Sequence, residues 1–305
     1  MDRLECDRMF VAVMETGSFS RAADRLGTSA GQASKLVRRL ETQLGVQLLK
    51  RTTRALSATE VGRAYFDRVK ALIDDYDALD SSVESASGDV RGRLAISVPE
   101  SFGRAQMQGA LIDFARAYPL VELRVNFSDR VVSLVDEGFD IAVRIGVPAD
   151  ATLVSRKLFD NRTVVAASPA YLERCGAPAE PADLAGHACI IDTNYPEPLV
   201  WRFRAEKSGE SLRVPVSGRL FFSNGDAAVA AAEAGLGIVR VPTFIAGPRL
   251  REGALRPLLA AFEEPPRSAV HILYPPARHL AAKVRALVDF LAARFRGPPP
   301  WDEGW

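Results

Sequence analysis

Residues 29–44 read Ser-Ala-Gly-Gln-Ala-Ser-Lys-Leu-Val-Arg-Arg-Leu-Glu-Thr-Gln-Leu, and they predict a helix with two unlike faces. At the pitch of an α-helix, the apolar residues Ala33, Val37, Leu40 and Leu44 form one narrow stripe. Small and cationic residues form the second face: Ala30, Gly31, Ser34, Lys35 and Arg38. Because the second face carries no large apolar side chain, it can enter a groove of nucleic acid while the stripe packs on a core.

Two helices are predicted before this stretch. Asp2 to Thr16 forms the first, and Ser18 to Leu26 forms the second with Ser18 as its N-cap. Gly27 and Thr28 make a tight turn, and Gly45 ends the third helix. The order of segments indicates a helix-turn-helix.

A hairpin wing is predicted after the third helix. Val46 to Leu49 and Leu56 to Thr59 are its strands, and its tip reads Lys50-Arg51-Thr52-Thr53-Arg54. Cations and hydroxyls are the groups that contact phosphates. Residues 21–54 hold eight cations and two acids, whereas the whole chain has a net charge of +1. The alternative is a solvated basic helix pair in an unrelated protein.

Three runs of sequence resemble the LysR-type transcriptional regulators. They are Gly17-Ser-Phe-Ser-Arg-Ala-Ala-Asp-Arg-Leu-Gly27, Ser34-Lys-Leu-Val-Arg-Arg-Leu-Glu-Thr-Gln-Leu-Gly45, and Leu49-Lys-Arg-Thr52 with Thr59-Glu-Val-Gly62. Ala30 and Gly31 stand where relatives often carry a polar side chain such as Gln, so the resemblance does not supply the operator sequence. The residues expected to contact double-stranded DNA are Ser18, Ser20, Arg21, Ala30, Gly31, Ser34, Lys35, Arg38, Arg51, Thr52, Thr53 and Arg54.

Length and composition are those of an ordinary globular protein with more than one domain. The chain has 305 residues, of which 48% are hydrophobic. Cys6, Cys175 and Cys189 are odd in number and far apart, which fits a reducing cytoplasm; we expect each to be buried, and a redox-sensing thiol is the alternative. The charged start and the lack of a long apolar run predict no signal peptide and no membrane span.

A long helix is predicted from Thr59 to about Glu84. Its apolar stripe is formed by Tyr65, Val69, Leu72, Ile73, Tyr76 and Leu79. Such a helix is too long to pack wholly on the small winged domain, so we expect a second copy of the chain as its partner. The resemblance also implies dimers or tetramers paired through this linker helix. Ser81 to Gly92 is predicted as the hinge that follows.

Beyond Arg93, strands and helices alternate, which predicts an α/β domain with parallel strands. Two such lobes, joined by crossing strands, resemble the periplasmic-binding-protein fold that the family carries as its effector domain. The expected fold is therefore a winged helix-turn-helix domain followed by a two-lobed α/β effector domain. The predicted bounds are 1–58 for the DNA-binding domain, 59–87 for the linker, 93–161 with 268–296 for lobe I, 162–267 for lobe II, and 297–305 for a disordered tail.

An effector site is predicted in the crevice outside the carboxyl ends of the strands. The candidates are Ser101, Phe102, Gly103, Ser128, Asp129, Arg144, Ile145, Gly146, Thr193, Asn194, Phe203, Ser223 and Asn224. A helix start at Ser101 together with Arg144 favours a carboxylate. The polar residues are equally typical of caps and turns, the two phenylalanines are more often core residues, and Arg144 is as readily explained by a pair with Asp140 or Glu137.

Enzyme chemistry finds little support in the sequence. The three histidines His187, His271 and His279 are scattered, and neither a dinucleotide fingerprint nor a phosphate-binding loop occurs. No cofactor is expected. The interpretation is a one-component, ligand-responsive regulator, and the alternative is an architectural DNA-binding protein whose second domain only oligomerises.

Overall fold

The computed structural model describes residues 2–51, 56–87, 90–130, 133–148, 150–205, 208–276 and 280–305. The predicted wing-tip residues Thr52, Thr53 and Arg54 lie outside this range, as does His279, one of the three histidines. Arg51 is described only as the last residue of its strand.

The first part of the chain is a three-helix unit with a small hairpin and a long helix. Its elements are α1 Arg3–Thr16, α2 Phe19–Leu26, α3 Ala30–Leu44, β1 Leu49–Arg51, β2 Leu56–Ala58 and α4 Glu60–Ser87. Polar caps start the first three helices, since the side chains of Asp2, Ser18 and Ser29 each accept a backbone N–H of the first turn. The same helices end at Gly17, Gly27 and Gly45, whose φ values of 63°, 69° and 70° suit glycine.

Two predicted boundaries were wrong in this part. The first wing strand begins at Leu49 instead of Val46, because Glu41 Oε1 accepts the backbone N–H groups of Leu48 (2.9 Å) and Leu49 (3.0 Å) and ties this stretch to α3. The predicted hinge was also placed too early, because α4 continues to Ser87. No Gly or Pro interrupts residues 63–87, so the small residues near its end remain helical.

The second part of the chain alternates strands and helices. Its first half contains β3 Gly92–Val98, α5 Glu100–Phe102, α6 Gln108–Ala117, β4 Val121–Phe127, α7 Leu134–Glu137, β5 Ile141–Gly146, β6 Val154–Asp160, β7 Thr163–Ala167, α8 Pro169–Cys175 and β8 Cys189–Asp192. The remainder contains β9 Val200–Arg204, β10 Ser211–Pro215, β11 Leu220–Phe222, α9 Gly225–Glu233, β12 Ile238–Pro242, α10 Thr243–Arg251, β13 Arg256–Leu258, β14 Ala269–Tyr274 and α11 Ala282–Arg294. A short π-helix, Gly103–Met107, joins α5 to α6.

These strands form two five-stranded sheets, one in each lobe. The first has the order β4-β3-β5-β14-β6, and the second has the order β11-β8-β12-β7-β13. In the first sheet β3 is parallel to both β4 and β5, as the alternation predicts, whereas β14 runs antiparallel. The two-lobed α/β fold is confirmed. β9 does not join either sheet, because it pairs with β10 as a separate hairpin.

The alternation of strands and helices predicts a helix between β4 and β5, and the helix found there, α7, is short. Asp129 Oδ1 accepts the backbone N–H of Glu100 (3.0 Å), and Ser128 Oγ accepts that of Arg130 (3.2 Å). These contacts hold the start of the segment in a turn, and among its described residues the helix comprises Leu134–Glu137.

The prediction of a disordered tail was wrong. Pro300–Asp302 forms a 3₁₀ turn, and the Trp301 side chain is only 6% exposed. The centroid of the Trp301 ring lies 5.2 Å from that of Phe159 in an edge-on arrangement. The backbone carbonyl oxygen of Trp301 would be 2.4 Å from a β-carbon at Gly247, so only glycine fits there. The tail is therefore anchored on both lobes, because Phe159 belongs to β6 and Gly247 to α10.

Candidate functional site

The third helix separates its faces as its sequence predicts. Ala33, Val37 and Leu40 are completely buried in the core that α1, α2 and α3 share. Lys35 and Arg38 are exposed on the opposite side. This helix therefore presents cations to solvent from a rigid base, the arrangement that a groove-binding helix needs.

Other predicted DNA-contacting residues in the described part of the chain belong to α2 and α3 or cap α2. Ala30, Gly31, Ser20 and Arg21 are exposed, and Ser34 is half-buried. The Ser18 hydroxyl already accepts the backbone N–H of Arg21 at 3.4 Å, so its observed role is that of a helix cap. The DNA contacts of these residues stay predictions.

Hydrogen bonds of Thr59 and a close contact of Gly62 join the wing hairpin to the start of the long helix. Thr59 Oγ1 donates to the carbonyls of Gln47 (2.9 Å) and Leu48 (3.2 Å), and it accepts the backbone N–H of Gly62 (2.9 Å). A β-carbon at Gly62 would meet Leu48 O, so only glycine allows α4 to start this close to β1. The Thr-Glu-Val-Gly sequence therefore has a structural reason.

The apolar stripe of α4 is buried in its own domain at some positions and exposed at others. Val69 and Ile73 are 5% and 9% exposed, because they pack on the helix-turn-helix core of their own chain. Leu72 is 66% exposed and Tyr76 is 46% exposed. Ile73 was therefore wrongly assigned to the dimer surface, whereas Leu72 and Tyr76 stay available to a partner.

A cleft of about 980 Å³ lies between the two lobes. Nine of the thirteen predicted effector residues line it: Ser101, Phe102, Ser128, Asp129, Arg144, Ile145, Gly146, Asn194 and Phe203. Four of them follow β3 and β4 of the first sheet: Ser101, Phe102, Ser128 and Asp129. Arg144, Ile145 and Gly146 end β5, Asn194 follows β8 of the second sheet, and Phe203 lies on the separate hairpin of β9 and β10. Most of these residues therefore lie at the carboxyl ends of sheet strands, where the sequence predicted the crevice.

The remaining four predicted effector residues do not line the cleft and have local structural roles. Gly103 packs against Phe127, and Asn224 Oδ1 caps α9 by accepting the N–H of Ala227 at 3.0 Å. Thr193 Oγ1 donates to the carbonyl of Phe222 at 3.1 Å, and the carbonyl of Ser223 accepts the side-chain amide of Asn194 at 2.9 Å. For these residues the alternative of caps and turns describes the structure.

Arg144 is engaged by backbone carbonyls and a hydroxyl. Its guanidinium donates to Val143 O (2.7 Å), Ser97 Oγ (2.8 Å), Arg130 O (3.3 Å) and Ser97 O (3.4 Å). Burial lowers the pKa of this guanidinium from its ordinary value, and the charge of Asp129 acts in the opposite direction. The alternative pairs proposed for Arg144 are not formed, because Asp140 contacts Lys283 and Glu137 contacts Arg130.

The two predicted phenylalanines belong mainly to the lobe cores. Phe102 is fully buried, and its ring contacts those of Phe159, Phe244 and Phe295 at 5.2–5.9 Å. Phe203 is 3% exposed in a separate cluster of lobe II. Both side chains form part of the cleft wall, but their packing in the lobe cores leaves neither ring free to stack on a ligand.

The helix start at Ser101 is less open to an anion than its sequence suggests. Its first N–H, from Glu100, is already bonded to Asp129. In contrast, Ser101 Oγ is buried and has no hydrogen-bond partner among the described residues. A ligand in the cleft would meet the hydroxyl before it met a free backbone N–H.

Several cleft residues were missed by the sequence analysis. Arg162 and Glu263 form a two-point ion pair (2.5 and 2.8 Å) where the chain crosses between lobes, and the Arg162 guanidinium lies 4.7 Å from the ring centroid of Trp305. Tyr195 and Arg240 line the wall of lobe II. A signal existed for Arg240, because it is the one charged residue in the apolar strand Ile238-Val-Arg-Val-Pro242.

The three cysteines have unlike environments. Cys6 and Cys189 are buried, as expected, whereas Cys175 is exposed, so that part of the prediction was wrong. Burial raises the pKa of the Cys189 thiol to about 12. Within the described part of the chain, no helix has both the length and the apolar character that a membrane crossing requires.

A winged helix-turn-helix with a cationic helix face, joined by a long helix to a two-lobed domain with a central cleft, is the architecture of a DNA-binding transcriptional regulator that senses a small molecule. Known proteins agree with this class. Residues 7–63 match the family described as bacterial regulatory helix-turn-helix protein, lysR family, and residues 87–296 match the LysR substrate binding domain. The chain belongs to the LysR-type transcriptional regulators.

Relatives align with nearly the whole chain. An uncharacterized HTH-type transcriptional regulator of Haemophilus influenzae is 36% identical, covering 94% of this chain and 99% of its own. An HTH-type transcriptional repressor of Pseudomonas aeruginosa is 35% identical, with coverages of 98% and 94%. The structure of CrgA, a LysR-type regulator from Neisseria meningitidis, superposes with a TM-score of 0.63 at 31% identity and covers 96% of this chain and 99% of its own. These relatives are named regulators, and the architectural alternative is not favoured.

Proposed function

We propose that this protein is a one-component regulator that binds operator DNA through α3 and responds to a small-molecule effector held between its two lobes. The observation that carries the proposal is the cleft of about 980 Å³, formed by both sheets and attached to a winged helix-turn-helix. Ligand pockets in proteins typically enclose about 300–1,000 Å³. The protein would act in the cytoplasm as a dimer or tetramer.

The mechanism would be a change in the angle between the lobes. Two stretches cross between them, and they are joined by the ion pair of Arg162 with Glu263 and by the hydrogen bond from Asn161 N to Ser268 O (2.9 Å). An effector that binds one lobe arrangement more tightly shifts the population toward it. In a paired assembly, that shift would change the spacing of the two recognition helices.

We further propose that the effector is a small anion, with a carboxylate as the favoured group. Cationic side chains and the buried hydroxyl of Ser101 line the cleft together with apolar surface from Ile145, Val147 and Phe244. A carboxylate would accept hydrogen bonds from such donors, while the apolar remainder of the molecule would be removed from water.

A cleft-filling variant tests this function in the full-length protein. Val147 lines the cleft and is 77% exposed, so Val147→Trp should fill the site without disturbing a core. The wild-type protein is screened against a metabolite collection for a rise in melting temperature and a change in affinity for its own promoter DNA. The variant should bind DNA normally but lose the response.

The matched control is Leu120→Trp, because Leu120 is 52% exposed and lies outside the cleft. This variant should keep the full response to any compound that acts on the wild type. A response that survives in Val147→Trp would place the effector elsewhere. A protein that responds to no compound would contradict the proposal.

A further inference from the structure

Five arginines line the cleft, and four of them are held by partners within the protein. Arg162 is bonded to Glu263, Arg202 to Glu197 (2.6 Å), and Arg267 to Glu264 (2.5 Å). Arg144 donates to the backbone carbonyls and hydroxyl described above. To bind an anion, each of these four would have to share or surrender bonds it already makes.

Arg240 is the exception. It lies on β12, the central strand of the lobe II sheet, opposite Val165 on β7. Its Nε atom is buried and has no hydrogen-bond partner in the described part of the chain. Among the described residues, no carboxylate oxygen lies within 4.0 Å of an Arg240 guanidinium nitrogen, the distance of an ion pair. No adjacent negative charge therefore balances this cation.

Two aromatic rings hold the Arg240 side chain in place. Its guanidinium carbon lies 4.4 Å from the ring centroid of Tyr195 and 5.9 Å from that of Trp201. Cation–π contacts of this kind stabilise an arginine but leave its hydrogen atoms in the guanidinium plane unused. The Tyr195 hydroxyl is also buried without a partner among the described residues. Buried polar atoms without partners are costly, and a ligand is one of the accepted explanations.

We propose that Arg240, oriented by Tyr195, binds the carboxylate of the effector, and that the effector is an apolar monocarboxylic acid. This inference rests on the proposed function and assigns its anion to lobe II instead of to Arg144. The planar fork of a guanidinium matches a carboxylate through two parallel hydrogen bonds. The cleft surface from Ile145, Val147 and Phe244 would cover the rest of the molecule.

The charges around Arg240 favour one negative group on the ligand instead of two. Asp192 lies at the end of β8 beside β12, and its negative charge acts on Arg240 together with that of Glu264, whereas the charge of Arg202 acts in the opposite direction. Asp129 of lobe I acts on Asp192 across the cleft. A second negative charge on the ligand would face these carboxylates and would be repelled.

The test uses three acids and their uncharged carboxamides as probes: benzoate, phenylacetate and 4-methylpentanoate. Binding to the full-length protein is measured by calorimetry. At least one acid should bind the wild type more tightly than its amide. Arg240→Gln should weaken acid binding about tenfold to a hundredfold, the effect of losing a charge-assisted hydrogen bond, and should leave amide binding unchanged. Arg240→Lys, which keeps the charge, should retain part of the preference for acids.

The matched control is Arg219→Gln, which removes the same charge from an exposed position of lobe II outside the cleft. It should not change acid binding. Melting temperature and affinity for promoter DNA establish that Arg240→Gln is folded.

Three results would overturn the inference: no acid binds, an amide binds as well as its acid, or Arg219→Gln weakens acid binding as much as Arg240→Gln does. A neutral effector that is lost in Val147→Trp but retained in Arg240→Gln would overturn this inference alone. The proposed function would then stand.

Discussion

Gly62 lies directly against the carbonyl group of Leu48, so a β-carbon at position 62 would come within 2.0 Å of that oxygen. The oxygen belongs to the backbone and also accepts bonds from Thr59, so it cannot move aside alone. The start of the linker helix is therefore packed on the backbone that leads into β1, and the placement of β1 depends on this contact.

Gly62→Ala should consequently destabilise the DNA-binding domain by about 1–3 kcal/mol, the usual cost of forcing an extra group into a packed site. Gly31→Ala is the matched control, because Gly31 is also helical but has only the Ser29 hydroxyl within 4 Å, at 3.9 Å. That variant should gain about 0.5–1 kcal/mol from helix propensity. Urea unfolding monitored by circular dichroism measures both, and equal stabilities for the two variants would contradict the contact.

Lys35 and Arg38 should discriminate between DNA sequences. If they contact bases, Lys35→Ala or Arg38→Ala should cost about 1–3 kcal/mol on the specific site and much less on unrelated DNA. Lys50, exposed at the wing, should contact phosphate, so Lys50→Ala should weaken all sequences alike and reduce the salt slope by about 0.9. Fluorescence anisotropy at several salt concentrations measures both effects. Arg116→Ala, in the effector domain, is the charge-matched control, and full affinity in all of the other variants would show that α3 is not the recognition helix.

Leu72 should be the central contact between linker helices. Leu72→Glu would place a charge where the partner buries an apolar side chain, so the dimer should dissociate or persist only through the effector domains. Its neighbour Ala71 is also exposed, and Ala71→Glu should change the assembly much less. Sedimentation velocity separates these outcomes. If Leu72→Glu assembles like the wild type, the dimer uses another surface.

The thiols should differ sharply in reactivity. Because burial raises the pKa of Cys189 to about 12 from an ordinary value of 9.0, its thiolate is scarce at pH 8, whereas Cys175 is exposed. Ellman's reagent should therefore modify Cys175 alone in the native protein and all three cysteines after unfolding. The native state holds the Cys189 proton longer than the unfolded chain, so the stability that this thiol contributes falls as pH rises from about 9 toward 12. Rapid native labelling of Cys175→Ser would contradict this account.

Features that depend on local periodicity were predictable from the sequence. The two faces of α3 follow from a helical repeat, and the cap at Ser18 and the helix end at Gly45 follow from residue types close in sequence. The parallel β3, β4 and β5 follow from the alternation of strands and helices. The cleft could be placed for the same reason, because residues that follow parallel strands meet at one edge of a sheet.

Features that depend on distant partners were not predictable in this way. Ile73 belongs to the same apolar stripe as Leu72, and only the packing of α4 on its own domain separates them. Arg144 and Arg240 are both single charges in apolar strands, yet one is saturated by carbonyls and the other is not. No short-range pattern distinguishes them, because their partners come from other elements.

The burial of Trp301 determines where the sensing half of this regulator can safely be cut for separate study. The family match ends at residue 296, ahead of Trp301, whose indole packs on Phe159 and Phe295 and whose backbone lies against Gly247 of α10. A fragment that ends at residue 296 would lack Trp301 and would expose the apolar side chains that it covers. Such an exposed apolar surface favours aggregation during purification. A fragment that extends through Trp305 would keep these side chains covered, so it should give the higher yield of soluble material.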